Sequence, residues 1–249
     1  MNDPVIGELR RLVAASEEYA TRDVWGSRAL ETNRQLLELQ PGATGVRLRY
    51  ANCLLTAGQS EKALRELERV AAEATTDLQR RLAQRKIAEV HERRRVAKTD
   101  SFEAAYRRAL GLRDAAAAEL AVLWHERAVE LASTKEEKAS ALASWASTLR
   151  NLRRFADARA KAEEAIAADR SIETNLAAYA VLIAALVDGG ALQEAVRQAD
   201  VVLRVHPRDP VALAAAGRAY LELGKQAKDA GLRSKANACF LAAGGRERR

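Results

Sequence analysis

Apolar residues recur three and four positions apart through nearly the whole chain, and the alternation expected of strands is absent. Tyr179, Leu182, Ile183 and Leu186 form one such stripe. After Gly189-Gly190 a second follows, with Leu192, Ala195, Ala199, Val202 and Leu203. Two amphipathic stripes across a short joint predict an antiparallel helical hairpin. The joints are legible elsewhere too. Asp3-Pro4 reads as a cap and a first-turn proline, Pro41-Gly42 closes a helix, and Gly58-Gln59-Ser60 and Thr99-Asp100-Ser101 separate others. At His206-Pro207-Arg208-Asp209-Pro210 one helix ends and the next begins, with Asp209 as cap.

The hairpin pattern repeats. The stretch 176–209 carries the two stripes just named and ends near Pro207; 210–224 repeats its opening with Leu213, Ala216, Gly217, Tyr220 and Gly224. The stretch 139–170 matches through Leu142, Trp145, Ala146 and Leu149, then Phe155, Ala158, Ala162, Ala165 and Ile166. The stretch 44–77 matches through Tyr50, Ala51, Leu54, Gly58, Ala63, Leu67 and Val70. In the first unit, Ala29, Leu36, Leu37 and Pro41 fit, whereas Ser16 and Glu17 stand where a Leu-Gly pair is expected. This pattern resembles the tetratricopeptide repeat, a helix–turn–helix unit of about 34 residues. The resemblance implies an all-α, right-handed α-solenoid of about six units over 1–249, the third lengthened. The units are 4–43, 44–77, 78–138, 139–172, 173–209 and 210–243, with a basic tail at 244–249.

Region 78–138 exceeds one repeat. An even helix count follows if 78–98 is one long helix and 101–133 another, with Phe102, Tyr106, Ala109, Ala116, Leu120, Trp124, Ala128 and Leu131 at helical spacing. The alternative is a break near Gly111 into a third helix. The long hairpin is the favoured expectation. The second helix of the last unit, around Ala236, Phe240 and Ala243, starts late, as terminal repeats often do.

Composition agrees with a helical chain: 13 Gly and 4 Pro are too few to punctuate a strand-rich fold. No apolar run approaches the ~20 residues needed to cross a bilayer, and Met1–Arg11 lacks a signal-peptide core. A soluble cytoplasmic protein, from a bacterium on its arginine-rich composition, is expected. The net charge of +7 is uneven: 78–114 holds 11 basic and 5 acidic residues. Within the basic segment 80–108, Arg93, Arg94, Arg95 and Lys98 would form the tip of the long hairpin, open to an acidic protein surface or to a phosphate backbone. Solvated positive charge at a helix end explains the same residues.

Enzymatic constellations are missing. His91-Glu92 and His125-Glu126 lack the second histidine of a zinc site, so no metal, cofactor, catalytic residue or small-molecule substrate is expected. The histidines are expected at the surface or a groove edge. Cys53 and Cys239 fall where small packed residues belong. What the family resemblance implies is a groove lined by the first helix of each unit, which takes extended peptides or partner helices. The matching positions are Asn52 and Leu55, then Ser147, Arg150 and Asn151, then Ala184 and Val187, then Arg218 and Glu222. Arg47 and Arg49 before Asn52 resemble a fragment of the carboxylate clamp of some family members, although later units lack the remainder. The expected role is a non-enzymatic scaffold or adaptor that binds a protein; the alternative is a nucleic-acid-associated subunit using the basic segment.

Overall fold

The computed structural model describes residues 4–112 and 117–244, and every regular element among them is a helix. The chain divides into two compact units. The first, up to Arg95, holds α1 (Pro4–Thr21), α2 (Ser27–Leu39), α3 (Thr44–Thr56), α4 (Ser60–Glu73) and most of α5 (Asp77–Lys98). The second, from Val96, holds α6 (Phe102–Gly111), α7 (Ala118–Leu131), α8 (Lys135–Asn151), α9 (Phe155–Ala168), α10 (Leu176–Asp188), α11 (Leu192–Val205), α12 (Pro210–Gln226) and α13 (Ala230–Ala242). Each is a stack of antiparallel hairpins, so the fold is an all-α helical-repeat solenoid.

Local sequence sets the helix ends. Asp209 accepts hydrogen bonds from the backbone of Val211 (2.8 Å) and Ala212 (3.0 Å) with Pro210 in the first turn, as the sequence predicts. Thr134 and Glu137 form a reciprocal capping box at the start of α8. Each such cap stabilises a helix by about 1 kcal/mol. Gly190, at φ 80°, makes the left-handed turn between α10 and α11 that a side chain would disfavour.

The first unit buries Leu12, Leu36 and Val46 among α1, α2 and α3, and Ala51, Leu67, Val70, Ala74 and Ala83 among α3, α4 and α5. Ser16, which departs from the repeat pattern, is fully buried. It donates to Asn33 Oδ1 at 2.7 Å, and Asn33 Nδ2 donates to the Ala29 carbonyl at 2.8 Å. A satisfied polar pair thus replaces an apolar one. In the second unit the largest cluster runs from Ala146 through Leu182, Ile183 and Leu186 to Ala199, Leu213 and Ala236.

Region 78–133 corrects the favoured expectation. There is no single helix over 101–133: α6 ends at Gly111, where the Leu112 N–H bonds to the Ala109 carbonyl at 3.2 Å, and α7 starts at Ala118. Hydrophobic spacing could not reveal the break, because α6 and α7 are both amphipathic. They form a hairpin around Ala105, Ala109, Trp124 and Ala128, and the surplus length is the helix α5. The residue Ala116, invoked for the long helix, lies outside the described residues, as do Asp3 and the tail arginines Arg246, Arg248 and Arg249. Gly224 is a packing position. It lies inside α12, where an added Cβ would come within 3.1 Å of the Leu232 Cβ and the Arg233 backbone nitrogen. The late start of α13 follows from this longer α12.

Gly217 shows how close α12 and α13 come. A Cβ there would sit 2.9 Å from a carbon of the Phe240 ring. Gly217→Ala is predicted to destabilise the protein by about 1–3 kcal/mol through overpacking, measured as a lower urea midpoint at unchanged slope.

Candidate functional site

The face that the sequence marked for a partner is built in the second unit by α8, α10 and α12. Helix α10 touches both α8 and α12, whereas α9, α11 and α13 make no comparable contacts with one another. The first helices of the hairpins therefore form the close-packed row. Arg150, Ala184 and Arg218 occupy equivalent places on them, 34 residues apart along the chain. The middle place is small, and both arginines lean to Asp188, one turn further along α10. Arg150 Nε lies 3.0 Å from Asp188 Oδ2, and Arg218 Nη2 pairs with Oδ1. A carboxylate absent from the sequence-derived set thus ties three helices together.

The other expected residues divide. Ser147 is half-buried and Asn151 exposed on α8; Ala184 is half-buried; Glu222 pairs with Lys225 at 2.9 Å. Val187 is only 8% exposed and packs in the core, so it offers no surface to a partner. In the first unit, Asn52 and Leu55 are half-buried on α3. The clamp fragment dissolves: Arg47 is buried, bonded to Glu66 Oε2 at 2.5 Å and to the Pro41 carbonyl. It locks α3 to α4.

The basic residues at the end of α5 are answered by carboxylates. Arg93 pairs with Glu89 (3.0 Å), Arg94 with Glu61 of α4 (2.8 Å) and Arg95 with the buried Glu92 (2.9 Å), while Lys98 is exposed. Glu61 lies outside the segment whose charge was counted. A count along the chain therefore overstates this patch.

Sequence reasoning missed a second feature, a recess of about 220 Å³ beside the α8 face. Ala109, Leu110, Leu112 and Ala118 make its apolar wall; His125, Ser144, Ser147, Thr148 and Asn151 make its polar wall. His125, expected at the surface or a groove edge, is only 1% exposed. The Thr148 hydroxyl donates to the Ser144 carbonyl (3.2 Å), so it accepts the Nε2–H of His125 (2.9 Å). That fixes the neutral tautomer and leaves Nδ1 as an acceptor, buried without a partner. Burial holds the imidazole pKa down at about 4. Cys53 and Cys239 are buried, as expected of packing residues, and burial raises both thiol pKa values.

Residues 27–87, from α2 to the first half of α5, match the family model described as the tetratricopeptide repeat. Over these residues the chain is similar to the tetratricopeptide repeat. No curated protein matches the chain in sequence. Among solved structures it is similar to YrrB, described as a tetratricopeptide repeat protein with an unusual peptide-binding site, at 16% identity and a TM-score of 0.40, over 86% of this chain and 97% of that one. A tetratricopeptide repeat protein from Parabacteroides merdae is 14% identical with a TM-score of 0.37, covering 96% and 93%. The tetratricopeptide repeat domain of P58(IPK) is 14% identical with a TM-score of 0.33, covering 94% and 92%.

The buried histidine makes stability depend on pH. Its folded pKa of about 4 lies below that of an exposed imidazole, about 6.5, so the unfolded chain takes up the proton first. The contribution is complete above pH 6.5 and is lost as the pH falls towards 4, by roughly 3 kcal/mol in all. His125→Gln is predicted to remove this component from the pH dependence of urea unfolding. In the unsubstituted protein the imidazole resonances should remain those of the neutral form at pH 5.

Proposed function

We propose that the protein is a non-enzymatic adaptor that holds an extended segment of a partner protein along α8, α10 and α12. The observation that carries this reading is the Arg150–Asp188–Arg218 ladder. Each guanidinium has five N–H donors, and the bonds to Asp188 occupy one of each. The carboxylate offsets one of the two positive charges and holds both side chains across the row, so donors remain in fixed places beside a single net positive charge. An extended peptide presents backbone carbonyls at regular intervals, which are acceptors for such donors. Ser147 and Asn151 extend the polar strip, and Ala184 leaves room at its centre. The ion pairs of Arg93, Arg94 and Arg95 favour this face over the basic segment as the contact surface, and a protein over a nucleic acid as the partner.

The test is selection of peptides from a random library on the intact protein. Arg150→Glu with Arg218→Glu is predicted to weaken the selected peptides more than tenfold by titration calorimetry, since a hydrogen bond to a charged group contributes about 1.5–3 kcal/mol. Unchanged affinity, with both proteins folded by circular dichroism, would remove the face from consideration.

A further inference from the structure

The recess beside α8 has a chemical character of its own. An apolar cavity of roughly 150 Å³ takes a benzene ring, so about 220 Å³ accommodates a ring with a substituent. Ala109, Leu110 and Leu112 offer one side of that ring an apolar surface. Opposite them, Ser147 and Asn151 make no side-chain hydrogen bond among the described residues, which leaves their polar groups free for a ligand. The Thr148 hydroxyl is already used on both sides, and the Ser144 hydroxyl shares a bond with Tyr106 at 3.0 Å. Among the described residues of the lining, none carries a formal charge once His125 is neutral. A phosphate or carboxylate would lose water there without meeting a cation, and an ammonium without meeting an anion. A plain hydrocarbon ring would leave the polar wall unanswered. The remaining fit is a neutral aromatic ring that carries a hydroxyl.

Ser147 and Asn151 belong both to this recess and to the strip that runs past Arg150. We propose that the recess is a specificity pocket for a tyrosine side chain of the partner segment, with the phenol ring against the apolar wall and its hydroxyl on the polar one. The pocket's place on a bound peptide rests on the adaptor reading above; its preference for a phenol does not. Phosphorylation of that tyrosine would block entry, because the described residues of the lining offer no charge to receive the phosphate.

The experiment titrates p-cresol, toluene and phenyl phosphate into the intact protein labelled with 15N, following the His125 ring nitrogens and the Ser147 amide. p-Cresol should shift these signals saturably, toluene should bind at least tenfold more weakly, and phenyl phosphate should leave them in place. No saturable shift with p-cresol, or equal binding of phenyl phosphate, overturns the pocket. Ser147→Phe should fill the recess and abolish the p-cresol response. If that variant loses its cooperative melting transition, the three-ligand comparison on the unsubstituted protein still decides the matter. The peptide arm uses tyrosine-containing peptides from the library selection. Tyr→Phe should weaken them about tenfold and phosphotyrosine more. Indifference to both changes, with p-cresol still bound, overturns the assignment to a partner's tyrosine in favour of a free phenol. Arg150→Glu with Arg218→Glu should leave p-cresol binding intact, which separates failure of the strip from failure of the pocket.

Discussion

Close approach of paired helices at buried alanines is the constraint on which everything else rests. Ala51, Ala63, Ala105, Ala128, Ala146, Ala158, Ala165, Ala195, Ala199, Ala216 and Ala236 are all buried, and they lie in the helices of successive hairpins. A larger side chain at a crossing would drive the helices apart, because interiors are packed too densely to absorb it. The glycines at 217 and 224 take the same requirement to its limit between α12 and α13. Helix propensity favours alanine as well, so one residue type serves both local structure and packing.

That packing distance is what makes the candidate face possible. When α8, α10 and α12 lie side by side, positions 34 residues apart in sequence become neighbours in space. A long side chain on α10 at the equivalent place would compete with Arg150 and Arg218 for the space between them. Ala184 occupies that place, and Asp188 sits one turn along, where both arginines reach it. The ladder thus depends on the registry of three helices, and registry depends on the alanines beneath.

The sequence made the class of fold and most helix ends legible, because each is written in residues close together in the chain. Asp209 capping α12 is such a local signal. What it hid depends on partners distant in sequence. The break between α6 and α7 was invisible to periodicity, since two short amphipathic helices and one long one share the same spacing. Val187 sits only three residues after Ala184, yet that is enough to turn it from the face into the core. Arg47 looked like a ligand-binding residue until Glu66, from the next helix, accounted for it. Asp188 read only as the end of a helix, and its role emerges when α8 and α12 bring their arginines to it. His125 had no sequence signal at all, because its burial is created by α6 and α8 packing over α7.

These distant partners also change what kind of recognition the protein can perform. Beside the groove, the sequence offered a second reading, binding by charge through a segment with 11 basic and 5 acidic residues. In the folded chain Arg93, Arg94 and Arg95 are each paired, and the two arginines of the face share one carboxylate. Fields from paired charges fall off quickly and are screened within about 8 Å at physiological salt, so they steer a partner weakly. Selectivity must then come from directional hydrogen bonds and from shape. On the proposed reading the second unit offers both side by side, a strip of held donors and a recess whose described lining carries no charge. A surface of that kind discriminates by what it leaves unsatisfied: a ligand without the right polar group strands buried donors and acceptors, which costs more than the absence of one favourable contact.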